Sequence, residues 1–269
     1  MNTSTENAPP SAATNRVFER RPQDKLLSPF DDLASRSTTL IRSAPHGSGV
    51  ARYLYLGERG GGDYIRLGVF AGIHGDEPEG VLALGRFLRI LEQDPSIAQG
   101  FALFIYPLCN PTGFEHGKRE ARSGKDLNRE FWRQSAEPEV RFLESEICLH
   151  AFDGIITLHS DNTSAGLYGF VNGAVLSENL LKPALRAGEK FLPRDRRHVI
   201  DGFPAQNGII FRSYDGVLRA VPGLERPPFE LTLETPQKAP LYLQIEAFAA
   251  ALKTILVEYR SLISIAQNI

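Results

Sequence analysis

The chain has 269 residues, of which 42% are hydrophobic, enough to bury a sizeable core and too many for a disordered polymer. Its 30 basic and 32 acidic side chains leave a formal charge of -2, which argues against a broad electrostatic grip on nucleic acid. No apolar run approaches the roughly 20 residues that span a bilayer, the N-terminal segment has neither the basic start nor the apolar stretch of a secretory signal, and the two cysteines are too few for a disulfide scaffold. A cytoplasmic protein with no membrane or nucleic-acid partner is expected.

Residues 1–15 are small, polar and proline-bearing, and read as a mobile tail. Residues 16–269 read as one domain, although 16–48 show no clear period. Strands are expected over 50–56 and 64–71, joined as a hairpin by the glycine-rich turn Glu58-Arg-Gly-Gly-Gly-Asp63. A helix over 78–92 buries Val81, Leu84, Leu88 and Leu91 on one face. Asp76 and Glu79 read as its cap and capping box. There follow a strand over 101–108, a helix over 137–152, strands over 154–159 and 166–171, a helix over 176–191, a strand over 229–234 and a closing helix over 241–265. Strands alternating with helices imply a mainly parallel sheet covered on both faces, with ligands at the carboxyl ends of its strands. The residues with chemical potential fall at those ends.

His74 and Glu77, three apart where a strand turns into a helix, are one pair able to hold a metal. Helix capping by Glu77 is an equally ready explanation of that residue. His159 ends the strand Gly154-Ile-Ile-Thr-Leu-His159 and is the third candidate, with a buried core histidine as the alternative. Two histidines and a glutamate, leaving one position for water, form the ligand set of several zinc peptidases. His46, His116, His150 and His198 lack such company. The loop from Asn110 to Arg129 is rich in turn residues and arginine. Its Asn128-Arg129 pair suits bidentate capture of a carboxylate, with a merely solvated basic loop as the alternative.

Together His74-Gly-Asp-Glu77, Asn110-Pro-Thr-Gly113, Arg119, Asp126-Leu-Asn-Arg129, Leu158-His159-Ser160 and Leu231-Thr-Leu-Glu234 resemble the zinc carboxypeptidases. The likeness is greatest to the compact branch that includes succinylglutamate desuccinylase, aspartoacylase and murein-peptide amidases, and it spans about residues 49–265. It implies a three-layer αβα sandwich with a mixed, mainly parallel twisted sheet. It also implies one zinc ion on His74, Glu77 and His159, with Asp126 orienting His74. Arg119 would hold the oxyanion, with Arg122 as the alternative. Asn128 and Arg129 would clamp a substrate carboxylate, and Glu234 would be general base and acid. Glu230 rivals Glu234 on the same strand face, but Glu234 stands at the strand end. Where the pattern often has an acid two residues before the third ligand, this chain has Thr157. Tyr168 and Tyr214 are candidates for a tyrosine over the substrate, though ordinary packing explains both.

The expected activity is hydrolysis of an amide bond beside a free carboxylate, in a small peptide or peptide-like substrate. The alternatives are an N-acyl-amino-acid deacylase and a metal- or peptide-binding module without catalysis. A deacylase of dicarboxylic substrates would want a further cation, for which Arg122, Lys125 and Arg212 are available. Gly60-Gly-Gly62 has no following helix to hold a phosphate, so a nucleotide site is not expected there.

Overall fold

The computed structural model describes residues 22–43, 47–211 and 218–266. The expected tail, His46, Arg212 and Tyr214 lie outside them. The unassigned N-terminal stretch supplies α1 (Gln23–Arg36) and β1 (Leu40–Arg42), and β2 (Tyr53–Leu56), β3 (Ile65–Ala71), α2 (Glu79–Gln93) and β4 (Phe101–Tyr106) follow. A short α3 (Pro111–His116) and α4 (Pro138–His150) lead to β5 (Gly154–Asp161) and β6 (Tyr168–Val171). The stretch expected as one helix is instead α5 (Ala174–Leu176), a wider turn over Ser177–Leu181, and α6 (Lys182–Gly188). Pro183, without an amide hydrogen, interrupts the regular ladder there. Three very short strands, β7 (Val199–Ile200), β8 (Phe203–Gln206) and β9 (Ile209–Ile210), precede β10 (Phe229–Pro236) and α7 (Leu241–Ala266). No described helix is long and apolar enough to cross a membrane.

The ten strands form one sheet in the order β1-β2-β4-β3-β5-β10-β6-β9-β8-β7. Pairing is parallel in the centre, where β4, β3, β5 and β10 run together, and mainly antiparallel towards both edges. The expected hairpin between β2 and β3 is not formed, because β4 lies between them, antiparallel to β2 and parallel to β3. β4 is almost wholly buried, so both of its edges must be paired. The glycine-rich segment bends around the turn before it, with Gly57 and Ile65 donating to the carbonyls of Phe101 and Gly100.

Alternation along the central strands builds the two covering layers. Leu67, Val69 and Ala71 of β3 meet α1, α2, α6 and α7 on one face, in a core that includes Phe30, Leu84, Leu185 and Phe248. Phe70 points the other way, to Tyr106, Ile155 and the α4 residues Val140, Leu143 and Ile147. The three-layer αβα sandwich is thus present. Its central strands all end at one rim, where the candidate site lies.

Candidate metal centre

The turn between β3 and α2 is held tightly. Gly72 has φ +60°, where a side chain would be strained, and a Cβ on Gly75 would lie 2.1 Å from the backbone of Gly113. Glycine at both positions lets the turn fold back against α3 and point His74 and Glu77 inward. The expected cap is absent: Asp76 and Glu79 make no capping bonds, and α2 starts after Pro78. Asp76 instead lines the cavity at the rim. Glu79 is buried and accepts from Ser160 Oγ at 3.2 Å, and burial pushes its carboxyl up to about 7. Tertiary packing of the turn thus takes both carboxylates away from the helix end.

His74, Glu77 and His159 are all buried, and their ligating atoms lie within 4.8 Å of one another. Glu77 Oε1 is 2.6 Å from His74 Nδ1, Glu77 Oε2 is 3.1 Å from His159 Nδ1, and the two Nδ1 atoms are 3.3 Å apart. Ligands 2.0–2.2 Å from a tetrahedral zinc would be about 3.4 Å from each other. Two of the separations are close to that value and the third is shorter. The donor set, burial and spacing all fit a metal ion.

The surroundings fix the ring orientations. Asp126 Oδ1 lies 3.2 Å from His74 Nε2, placed to hold a proton there when Nδ1 turns its lone pair to a metal. Ser160 N–H donates to Glu77 Oε2 at 3.1 Å. Burial opposes charging of His74, but Asp126 and Glu77 outweigh it and raise its pKa, whereas burial lowers that of His159. Burial alone would raise Asp126, yet His74 and Arg119 hold it well below the usual carboxylate range.

The segment from Asn110 to Arg129 is more ordered than a solvated loop. Asn110 caps α3 by accepting from Gly113 N–H at 2.8 Å, and its amide donates to the carbonyl of Arg119 at 3.1 Å. An Asn-Pro step is a common helix start, so this helix and its role in placing Arg119 were detectable in the sequence. Arg119 donates to Asp126 Oδ2 at 3.0 and 3.2 Å, and its third nitrogen is 3.5 Å from Glu77. Arg122 is exposed and lines a separate groove beside Lys118, so only Arg119 of this pair reaches the cluster. Lys125 is engaged by Glu130 and lies away from the cavity lining. Asp126 also caps the turn Leu127–Arg129, accepting from Asn128 N–H at 2.9 Å. Asn128 Oδ1 accepts from Leu218 N–H at 2.8 Å, which leaves its amide hydrogens for another acceptor.

Glu234 stands beside His159 in the parallel β5–β10 register, half-buried at the cavity wall. Burial, then the charges of Glu77 and Asp161, hold its carboxyl well above the ordinary range. Glu230 accepts from Ala220 N–H at 2.8 Å and lies outside this cavity, in a structural role. Thr157 bonds Thr232 at 2.7 Å inside the sheet. The cavity, about 310 Å3, is lined by the eight expected residues except Asp126, and also by Asp76, Asp161, Tyr168 and Asp201. Tyr168 was one of the two tyrosine candidates, whereas Asp201 had no distinguishing signal, since its position depends on the β7–β8 turn.

The fold is that of the metallocarboxypeptidases and their relatives. A provisionally named metallopeptidase of Shewanella denitrificans OS217 superposes with a TM-score of 0.71 at 22% identity, over 87% of this chain and 89% of that one. A metallo-carboxypeptidase of Burkholderia cenocepacia does so with a TM-score of 0.69 at 18% identity, over 91% and 71%. For a Pseudomonas aeruginosa metallo-carboxypeptidase, in complex with (2-guanidinoethylmercapto)succinic acid, the score is 0.59 at 18% identity, over 87% and 68%. No curated protein sequence matches the chain. Residues 63–194, just under half of the chain, match the succinylglutamate desuccinylase/aspartoacylase catalytic domain. That segment is similar to this hydrolase domain, and the whole chain has the zinc carboxypeptidase-like fold. The matched residues include His74, Glu77, Arg119, Asp126, Asn128, Arg129 and His159, and exclude Glu234.

Proposed function

We propose that the protein is a zinc-dependent hydrolase that cleaves a C–N amide bond next to a free carboxylate in a small peptide-like substrate. The observation that carries this reading is the convergence of three buried metal-ligating groups, His74 Nδ1, His159 Nδ1 and the Glu77 carboxylate, on one point. A zinc ion held by these residues would supply a Lewis acid and bring the pKa of a water towards about 7.

The chain's own residues account for the remaining tasks. The Glu234 carboxylate accepts the proton of the attacking water and delivers it to the leaving nitrogen. Arg119 N–H groups donate to the carbonyl oxygen as negative charge develops on it. The Asn128 amide and the Arg129 guanidinium hold the substrate carboxylate. Arg129 is exposed, and among the described residues it gives one hydrogen bond, at 3.2 Å to the Asn128 carbonyl. Asp126 keeps His74 in the tautomer that presents Nδ1.

The test is reconstitution. Chelator-treated protein is expected to regain hydrolysis of a dipeptide panel with one equivalent of zinc. Glu234→Gln protein should take up the same zinc and turn over about 10³-fold more slowly. Full activity without metal, or unchanged turnover in the variant, would overturn the reading. The family match favours a second reading, release of an acyl group from an N-acyl amino acid at the same centre. Assays of N-acetyl and N-succinyl amino acids beside the dipeptides separate the two.

A further inference from the structure

The cavity carries more negative charge than the proposed reaction uses. Asp161, at the end of β5, and Asp201, in the turn between β7 and β8, line it together with Asp76. Among the described residues, Arg119 is paired with Asp126 and Glu77 and Arg197 with Asp195, and the other arginine of the lining, Arg129, is the one assigned above to a substrate carboxylate. The Asp161 carboxylate is fixed in place. Its Oδ1 accepts from the Thr163 N–H and Oγ–H at 2.7 and 2.8 Å, and its Oδ2 from the Tyr168 hydroxyl at 3.1 Å. A separate observation concerns the part-buried Asp76, whose Oδ1 is shielded from solvent and has no hydrogen-bond partner among the described residues. Such an oxygen calls for a donor from water, an ion or a ligand.

The charges divide by chain segment. Arg119 and Arg129, the two arginines of the lining, belong to the segment after β4, whereas Asp161 and Asp201 belong to the β5 end and the β7–β8 turn. One half suits a substrate carboxylate. The other repels a second one, as an N-succinyl or other dicarboxylic substrate would bring.

We infer that Asp161 and Asp201 are specificity-determining residues that receive a cationic group, an ammonium or guanidinium, on the substrate. This rests on the amide-hydrolase reading and narrows it to basic, carboxylate-bearing peptide-like amides. The cation is either a free α-amine or a basic side chain, and the two sources are separable.

The experiment compares kcat/KM of the zinc-loaded enzyme on Ala-Ala, Lys-Ala, Ala-Lys, Glu-Ala and Ala-Glu, each with free and acetylated amino termini, and on N-succinyl-alanine. At least one cation-bearing peptide is expected to exceed its uncharged counterpart by about tenfold, and the glutamate peptides by more. Loss of the preference on acetylation identifies the α-amine, and its survival the lysine side chain. The preference should shrink in Asp161→Asn and in Asp201→Asn, and should weaken as salt is raised. A preference unchanged in both variants, or one favouring glutamate or succinyl substrates, overturns the inference. Calorimetric binding of the same peptides to zinc-loaded Glu234→Gln protein keeps the two readings apart. No turnover with the binding preference intact sinks the hydrolase reading alone, and turnover without any preference sinks the inference alone.

Discussion

Two buried polar clusters, on different parts of the sheet, are built from nearly the same residue types. Between the sheet and α4, Glu146 Oε2 accepts from Arg52 at 2.6 Å and from the Tyr106 hydroxyl at 2.8 Å, with His150 Nε2 3.4 Å away. At the rim, Glu77 meets His74, His159 and, at 3.5 Å, Arg119. The first cluster is closed, since one carboxylate is matched by one guanidinium and a hydroxyl that can only serve it by donating. The second is open. His74 is held by Asp126 through Nε2, and its Nδ1 faces a carboxylate oxygen and another imidazole. The difference teaches that buried charge alone does not mark a functional centre. What sets the rim cluster apart is that three metal-ligating side chains converge on one point.

The largest expected effect falls on the open cluster. His159→Ala should abolish stoichiometric zinc in purified protein and reduce amide hydrolysis by at least about 10³-fold, whereas Glu146→Ala should leave metal content at one per chain. Metal analysis of both variants tests the contrast, and equal zinc in the two would erase it. Next, Arg119→Ala should retain zinc but lower kcat/KM about 10²–10³-fold, the usual effect of removing one oxyanion donor. The closed cluster should dominate stability instead. Glu146→Ala takes the carboxylate from Arg52, which keeps Ser43 and His150, and leaves the Tyr106 hydroxyl without its acceptor, and should cost about 3 kcal/mol, seen as a Tm fall of roughly 6–12 °C. Glu77→Gln in metal-free protein should shift Tm by much less, because the open cluster is not a source of stability. A larger fall for Glu77→Gln than for Glu146→Ala would reverse the comparison.

The smallest effect is a pH dependence. Burial lowers the His150 pKa below its ordinary 6.5. The unfolded chain therefore binds this proton first as pH falls, so the stability tied to neutral His150 is present above about 6.5 and lost below it. His150→Asn should flatten the decline of Tm between about pH 6.5 and 5.5 relative to the parent. An identical slope in both proteins would remove His150 from the network.

What the sequence made legible was local chemistry with a strict spacing. His74, Glu77, Asp126, Asn128 and His159 are brought to one rim, because each ends a strand or sits in a turn whose residue types restrict its geometry. Element types were legible for the same reason: the 3.6-residue stripe of α2 and the apolar run of β4 survive in the structure. Strand neighbours were not. A glycine-rich turn between two strands suggests a hairpin, yet the decision belongs to β4, whose need to bury both edges is non-local. The misplaced cap has the same origin, since Asp76 and Glu79 fit a capping pattern until the turn packs against α3 and Ser160. Asp201 gave no signal at all, because two-residue strands such as β7 carry too little pattern to read.

Glu234 and His159 occupy matched positions on neighbouring parallel strands. Their spacing is therefore a lattice constant of the sheet, about 4.8 Å between backbones, and not a property of any loop. The arginines, the asparagine and the outer aspartates all lie on connecting segments or strand ends. Changes in the connections would therefore move the arginines and aspartates while the spacing of these two side chains stays unaltered.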